Sequence, residues 1–141
     1  MEVPASVEHT IYVTIRHKAV RELSASAAKA RVIPSELIVR RGDTLKFVSR
    51  DSDLVVIISR KDLLTGPSVI SKKTYQKVKI KKSGNTETIT INPAYVGKTS
   101  RSVQIWIKGT KELEIVEYTV FCEGIQVFAE GGSSPRIIID E

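Results

Sequence analysis

Hydrophobic and polar residues alternate with a period of two over most of this chain. In His9 to His17 (HTIYVTIRH), Ile11, Val13 and Ile15 interleave with Tyr12, Thr14 and Arg16, the pattern of a strand with one buried face. Glu36 to Arg40 predicts a strand, Arg41-Gly42-Asp43 a turn, and Thr44 to Ser49 a second strand, with glycine supplying the backbone freedom of the reversal. Pro34 suits an edge-strand start, where its missing N–H is not needed. Leu54 to Ile58 (LVVII) is a continuous apolar run, so it predicts a strand buried on both faces or central under a second layer. Lys72 to Lys82 (KKTYQKVKIKK) alternates again, with Val78 and Ile80 on one side and Lys77, Lys79 and Lys81 on the other.

Punctuation divides the rest. Gly66-Pro67 marks a turn in a connection over 60–73, and Ser83-Gly84-Asn85 reads as a hairpin-type turn. Thr86 to Asn92 predicts a strand with Ile89 and Ile91 inward, and 93–99 a loop. Ser102 to Lys108 sets Val103, Ile105 and Ile107 opposite Trp106; Leu113 to Cys122 is a long strand and Arg136 to Asp140 a closing one. Residues 19–30 (AVRELSASAAKA) break the rhythm and leave a short helix or a long loop open. About eight or nine short strands at roughly 8–12 residue spacing predict an all-β sandwich or barrel.

Composition narrows the class. A chain of 141 residues, 41% hydrophobic, suits a single domain over 1–141, not a multi-domain enzyme. No apolar run approaches the ~18 residues of a membrane span, so no membrane partner is expected. The segment MEVPASVEHT has two Glu, no Lys or Arg and no apolar core, unlike a signal peptide. With Met1 as the native start the expected compartment is the cytoplasm, although a trimmed export signal would leave the same chain. The formal charge of +6 favours weak attraction to polyanions without proving it.

Two stretches resemble the cupredoxin-like family. The first is IPSELIVRRGDTLKFVSRDSD (33–53), similar to that family's strand, Gly-Asp turn and returning strand. The second is EYTVFCEGIQVFAEGGSSPRIIID (117–140), similar to its aromatic-bearing strand, cysteine, loop and last strand. The resemblance implies a Greek-key sandwich of two sheets; an immunoglobulin-like sandwich shares the same alternation. A blue-copper site needs two imidazoles and a thiolate, with a weak axial ligand such as Met. Here Asp51-Ser52-Asp53-Leu54-Val55 holds no His where the first imidazole would stand, and 123–141 holds neither His nor Met. The histidines are His9 and His17, and the methionine is Met1. On one regular strand those histidines lie roughly 26 Å apart at about 3.3 Å per residue. Type 1 copper and its electron transfer are therefore excluded, and no cofactor is expected.

The remaining candidates are weak against ordinary structural readings. Cys122, ending an apolar strand, reads as a small buried hydrophobe. Asp43, Asp51 and Asp53 fall short of a calcium loop. The row Lys77, Lys79 and Lys81, with Tyr75 on the same face, could track phosphates and stack a base, or could guard an edge strand against aggregation. Trp106 is a candidate interaction anchor. The expectation is a metal-free, non-catalytic binding or protein-interaction module, with a polyanion-binding protein using Lys72 to Lys82 as the alternative. Partners stay unknown; strand edges make a homodimer a reasonable expectation.

Overall fold

The computed structural model describes residues 5–17, 28–85, 87–97, 113–129 and 134–140. Every regular element among them is a strand: β1 (Glu8–His17), β2 (Ala28–Ile33), β3 (Glu36–Val39), β4 (Thr44–Ser49), β5 (Leu54–Ile58), β6 (Leu64–Thr65), β7 (Val69–Ser71), β8 (Gln76–Ile80), β9 (Ile89–Ile91), β10 (Leu113–Cys122), β11 (Val127–Phe128) and β12 (Arg136–Asp140). Sheet one has the order β2-β1-β4-β9-β6; sheet two runs β3-β12-β10-β5-β8-β7, with β11 on β10. The β1–β4 and β12–β3 pairs are parallel. The result is the two-sheet β-sandwich that the alternation predicts. The chain changes sheets between β2 and β3, at a cis Ile33–Pro34 bond.

Alternation builds the interior. On β10, Val116, Tyr118, Val120 and Cys122 are buried with Glu114, while Leu113, Ile115, Thr119 and Phe121 are half-buried on the other side. β4 sends Leu45 and Phe47 inward, and Phe47 meets Tyr118 from the opposite sheet edge-on, with ring centroids 6.5 Å apart at 78°. Such a pair adds about 0.5–1.5 kcal/mol beyond its buried area. β5 is central, between β10 and β8, with Leu54, Val56 and Ile58 fully buried and Val55 and Ile57 half-buried.

Polar side chains stitch places where strand pairing stops. Gln76, 2% exposed, accepts the Leu64 N–H at 2.7 Å and donates to the Leu64 carbonyl at 2.8 Å and to Ser71 Oγ at 2.9 Å. One amide thus ties β8 of sheet two to β6 of sheet one. β4 pairs with β9 only at Thr44 and Leu45; beyond that, Asn85 Oδ1 accepts the Phe47 N–H at 2.6 Å. The chain comes this close because of Gly84, at φ 102°, where a Cβ would stand 2.8 Å from the Phe47 carbonyl oxygen.

Several sequence expectations need correction. Ala28 to Ala30 are not helical: they begin β2, paired with β1, since Ala30 and Val32 fill the core; the rest of the 19–30 segment lies outside the described residues, as do the predicted strand 102–108 and Trp106. The Lys72 to Lys82 strand shortens to β8. β7 covers its outer edge from Gln76 to Val78, and from Lys79 onward no strand among the described residues lies on that side. The Ser83-Gly84-Asn85 turn is no hairpin; it carries the chain from sheet two to sheet one. The 60–73 connection holds two short strands, β6 and β7.

Replacing Gln76 with Leu strips both buried Leu64 backbone groups of their amide partner. Urea unfolding should show a loss of about 2–3 kcal/mol with an unchanged denaturant slope. A loss under about 0.5 kcal/mol, the range of ordinary surface changes, would contradict the role given to this amide.

Candidate functional site

The end of the sandwich around Cys122 is where the resemblance would place a metal. The two signature stretches do meet there. The Glu123 N–H donates to the Asp53 carbonyl at 3.0 Å, and the Gly124 N–H to Ser52 Oγ at 2.8 Å. Ser52 Oγ donates in turn to the Asp53 carbonyl at 2.7 Å, and Asp53 Oδ1 accepts the Lys82 N–H at 2.8 Å. A buried serine hydroxyl closes the loop after the cysteine. Cys122 is fully buried, and burial pushes its thiol up to about 11. It is a neutral thiol at physiological pH, whereas ligation and nucleophilic attack need the thiolate. Among the described residues no three His, Cys, Asp or Glu side chains gather where they could hold a metal ion. This donor set does not fit copper.

His9 stands at the start of β1 and is held by a carboxylate. Its Nε2 lies 2.8 Å from Asp43 Oδ2, and Asp43 also accepts the Arg40 N–H at 2.9 Å and the Val7 N–H at 3.1 Å. Asp43 therefore binds the start of β1 to the β3–β4 turn. Burial alone would raise its pKa, but the hydrogen bonds from His9, Arg40 and Val7 outweigh it and hold the carboxyl below the usual 3.8. The aspartates of the candidate cation turn are thus put to other uses: Asp43 holds β1, and Asp53 caps Lys82. The side chain of His17 lies outside the described residues.

Sequence reading missed a buried polar cluster. Tyr95 Oη donates to Glu114 Oε2 at 2.8 Å, and Arg60 Nε donates to Glu114 Oε1 at 3.2 Å. Arg41 Nε donates to the Tyr95 carbonyl at 2.6 Å. Gly97 runs so close that a Cβ there would overlap the Glu114 carboxylate. Burial, then the neighbouring Glu114, pushes the Tyr95 phenol up to about 12. Glu114 occupies an inward position of β10, so its charge needs these partners. The one available signal was a carboxylate at an apolar parity position in LEIVEYTVFC. The cluster fastens the loop after β9 to β10.

The lysine row is placed as the alternation predicts. Lys77 and Lys79 alternate with fully buried Val78, and Lys81 follows exposed. Tyr75 is 36% exposed just before β8. The row continues sideways into the apolar outer side of sheet two, since Lys77 pairs in register with Ile57, and Lys79 with Val55.

No protein-family model matches the chain, and no curated protein matches its sequence. Among solved structures the chain is similar to the crystal structure of Fet3p, a multicopper oxidase that functions in iron import. The TM-score is 0.44 and the identity 6%, with 97% of this chain covered and 28% of that one. The chain spans less than a third of that protein. No helix among the described residues is long and apolar enough to cross a membrane.

Asp43 gives a pH prediction. Its folded pKa is depressed, so its contribution is present above the unfolded value and lost as pH falls through the folded value. Asp43→Asn should cost about 1–3 kcal/mol at neutral pH, and the gap from the parent protein should shrink on acidification below about pH 4. Chemical denaturation across pH checks this; a gap that fails to shrink below about pH 4 would contradict the assignment.

Proposed function

We propose that this chain is a metal-free, non-catalytic binding or protein-interaction module on a cupredoxin-like frame. The observation that carries the reading is the use made of the cysteine end. The positions that would hold an ion are spent on Ser52, Asp53 and backbone groups that close the loop, and Cys122 is a protonated core thiol. What faces outward instead is a strand face carrying lysine and apolar residues, a surface suited to contact rather than chemistry.

Adding Cu(II) to the folded protein should give no intense blue charge-transfer band. A thiol reagent should label Cys122 only at the rate of unfolding, hundreds-fold slower than in denaturant. A strong blue band, or rapid labelling of the native protein, would overturn the reading.

A second reading, polyanion binding, is favoured by one feature. Lys77 and Lys79 point outward beside exposed Lys81, Lys82 and Tyr75, a row of cations with a ring that could stack on a base. Fluorescence anisotropy with a single-stranded oligonucleotide should then show affinity falling steeply with salt, and Lys77→Glu with Lys79→Glu should weaken it at least tenfold. No binding at low salt removes this reading and leaves the first in place.

A further inference from the structure

The outer side of sheet two holds a cleft where β10 changes partner. β12 pairs with β10 as far as Glu117, and β11 pairs with it at Phe121 and Cys122. Between those partners the chain leaves at Ala129, whose N–H donates to the Val120 carbonyl. It returns by Pro135, whose carbonyl accepts the Tyr118 N–H. The cleft has a volume of about 460 Å³ and is lined by Ile57, Thr119, Phe128, Ala129, Ser134 and Pro135. Small-molecule sites span about 300–1,000 Å³.

One wall of the cleft is an aromatic ring held in place. Phe128, 56% exposed, packs on half-buried Phe121, with ring centroids 4.9 Å apart at 58°. Thr119 and Ser134 add hydroxyl-bearing side chains to the apolar lining. Cations border the cleft on one side. Thr119 pairs in register with Ile57, and Ile57 with Lys77, so Lys77 stands two strands, about 10 Å, from Thr119. Lys79, one pleat on, lies in the row Val55, Phe121, Phe128. The two lysines are about 7 Å apart at about 3.4 Å per residue, a spacing at which cations can meet successive phosphates of an extended single strand. Neither is in an ion pair among the described residues. The carboxylates of this face lie the other way. Glu117, one pleat from Thr119 and away from Lys79, is 3.8 Å from Arg136, which also meets Glu36 at 3.7 Å.

Resting on the polyanion reading, we infer that this face binds single-stranded nucleic acid, with one base in the cleft against Phe128 and the adjoining phosphates on Lys77 and Lys79. A ring beside a row of cations holds an unpaired strand without reading its sequence, because every base has a π-face. A duplex keeps its bases stacked and must pay to extrude one. A chain of carboxylates or of bare phosphates meets the lysines but brings no flat ring to Phe128. The cleft thus separates nucleic acid from other polyanions, which the lysine row alone does not.

Fluorescence anisotropy on the full chain tests it. The probes are oligothymidylate and oligouridylate of about 15 nucleotides, with end-labelled inorganic polyphosphate as the polyanion without bases. At low salt either single strand should bind, and Phe128→Ala should weaken that binding at least about fivefold without changing its salt slope. Phe128→Tyr keeps the ring and should retain the affinity; at so exposed a position neither change should move the melting temperature. Polyphosphate binding should be indifferent to Phe128→Ala, while Lys77→Glu with Lys79→Glu should weaken all three probes. Oligonucleotide binding that ignores Phe128→Ala, or polyphosphate binding that falls equally with it, would overturn the inference and leave the polyanion reading standing. A duplex of the same length that depends on Phe128 as strongly would overturn it too. Polyglutamate bound with the same dependence would overturn it in favour of an acidic protein partner. If no probe binds at low salt, both the inference and the polyanion reading fall.

Discussion

One strand must serve both halves of sheet two, and the rest of the structure follows from that constraint. β10 pairs with β12 over Leu113 to Glu117 and with β5 over Tyr118 to Cys122. An unbroken period of two along ten residues keeps every second side chain in the core while the pairing partner changes midway. A slip of one residue would expose Val116, Tyr118 and Val120 together and bury Glu117. The Phe47–Tyr118 contact then fixes how the opposite sheet sits on this strand.

Such a sandwich leaves backbone groups stranded wherever a strand is shorter than its neighbour, and orphaned buried groups are costly. The chain meets that cost with side chains. Gln76 substitutes for a strand partner at Leu64, Asn85 at Phe47, and Asp43 at Val7 and Arg40. The one buried carboxylate on β10, Glu114, is surrounded by Tyr95 and Arg60. These groups fix loops to strands.

How much of this was legible follows from range. Alternation is local, so β10 and β12 are found at the residues the pattern predicts, as are β4 and β5. Turn chemistry is also local, and Gly84 does turn the chain. Which strand lies on the far side of a turn is not local, and so a hairpin was expected where the chain changes sheets. Ala28 to Ala30 have helical propensity but lie against β1, and tertiary pairing decides. The lysine row was visible as parity; its neighbours were not, because the lateral order that sets Ile57 beside Lys77 is a property of the fold. The Tyr95–Glu114–Arg60 cluster joins positions far apart in sequence, and only Glu114 gave any local sign.

The inner faces and their amide bridges thus maintain the frame, and both halves of sheet two are fixed in register by the same β10. Native-state hydrogen exchange resolved by residue tests this most directly. The account predicts that β10 amides from Val116 to Val120, with those of β5, exchange last and only through global unfolding. If β10 opens locally, exchanging much faster than β1 and β4, the strand does not organise the molecule and the account is contradicted.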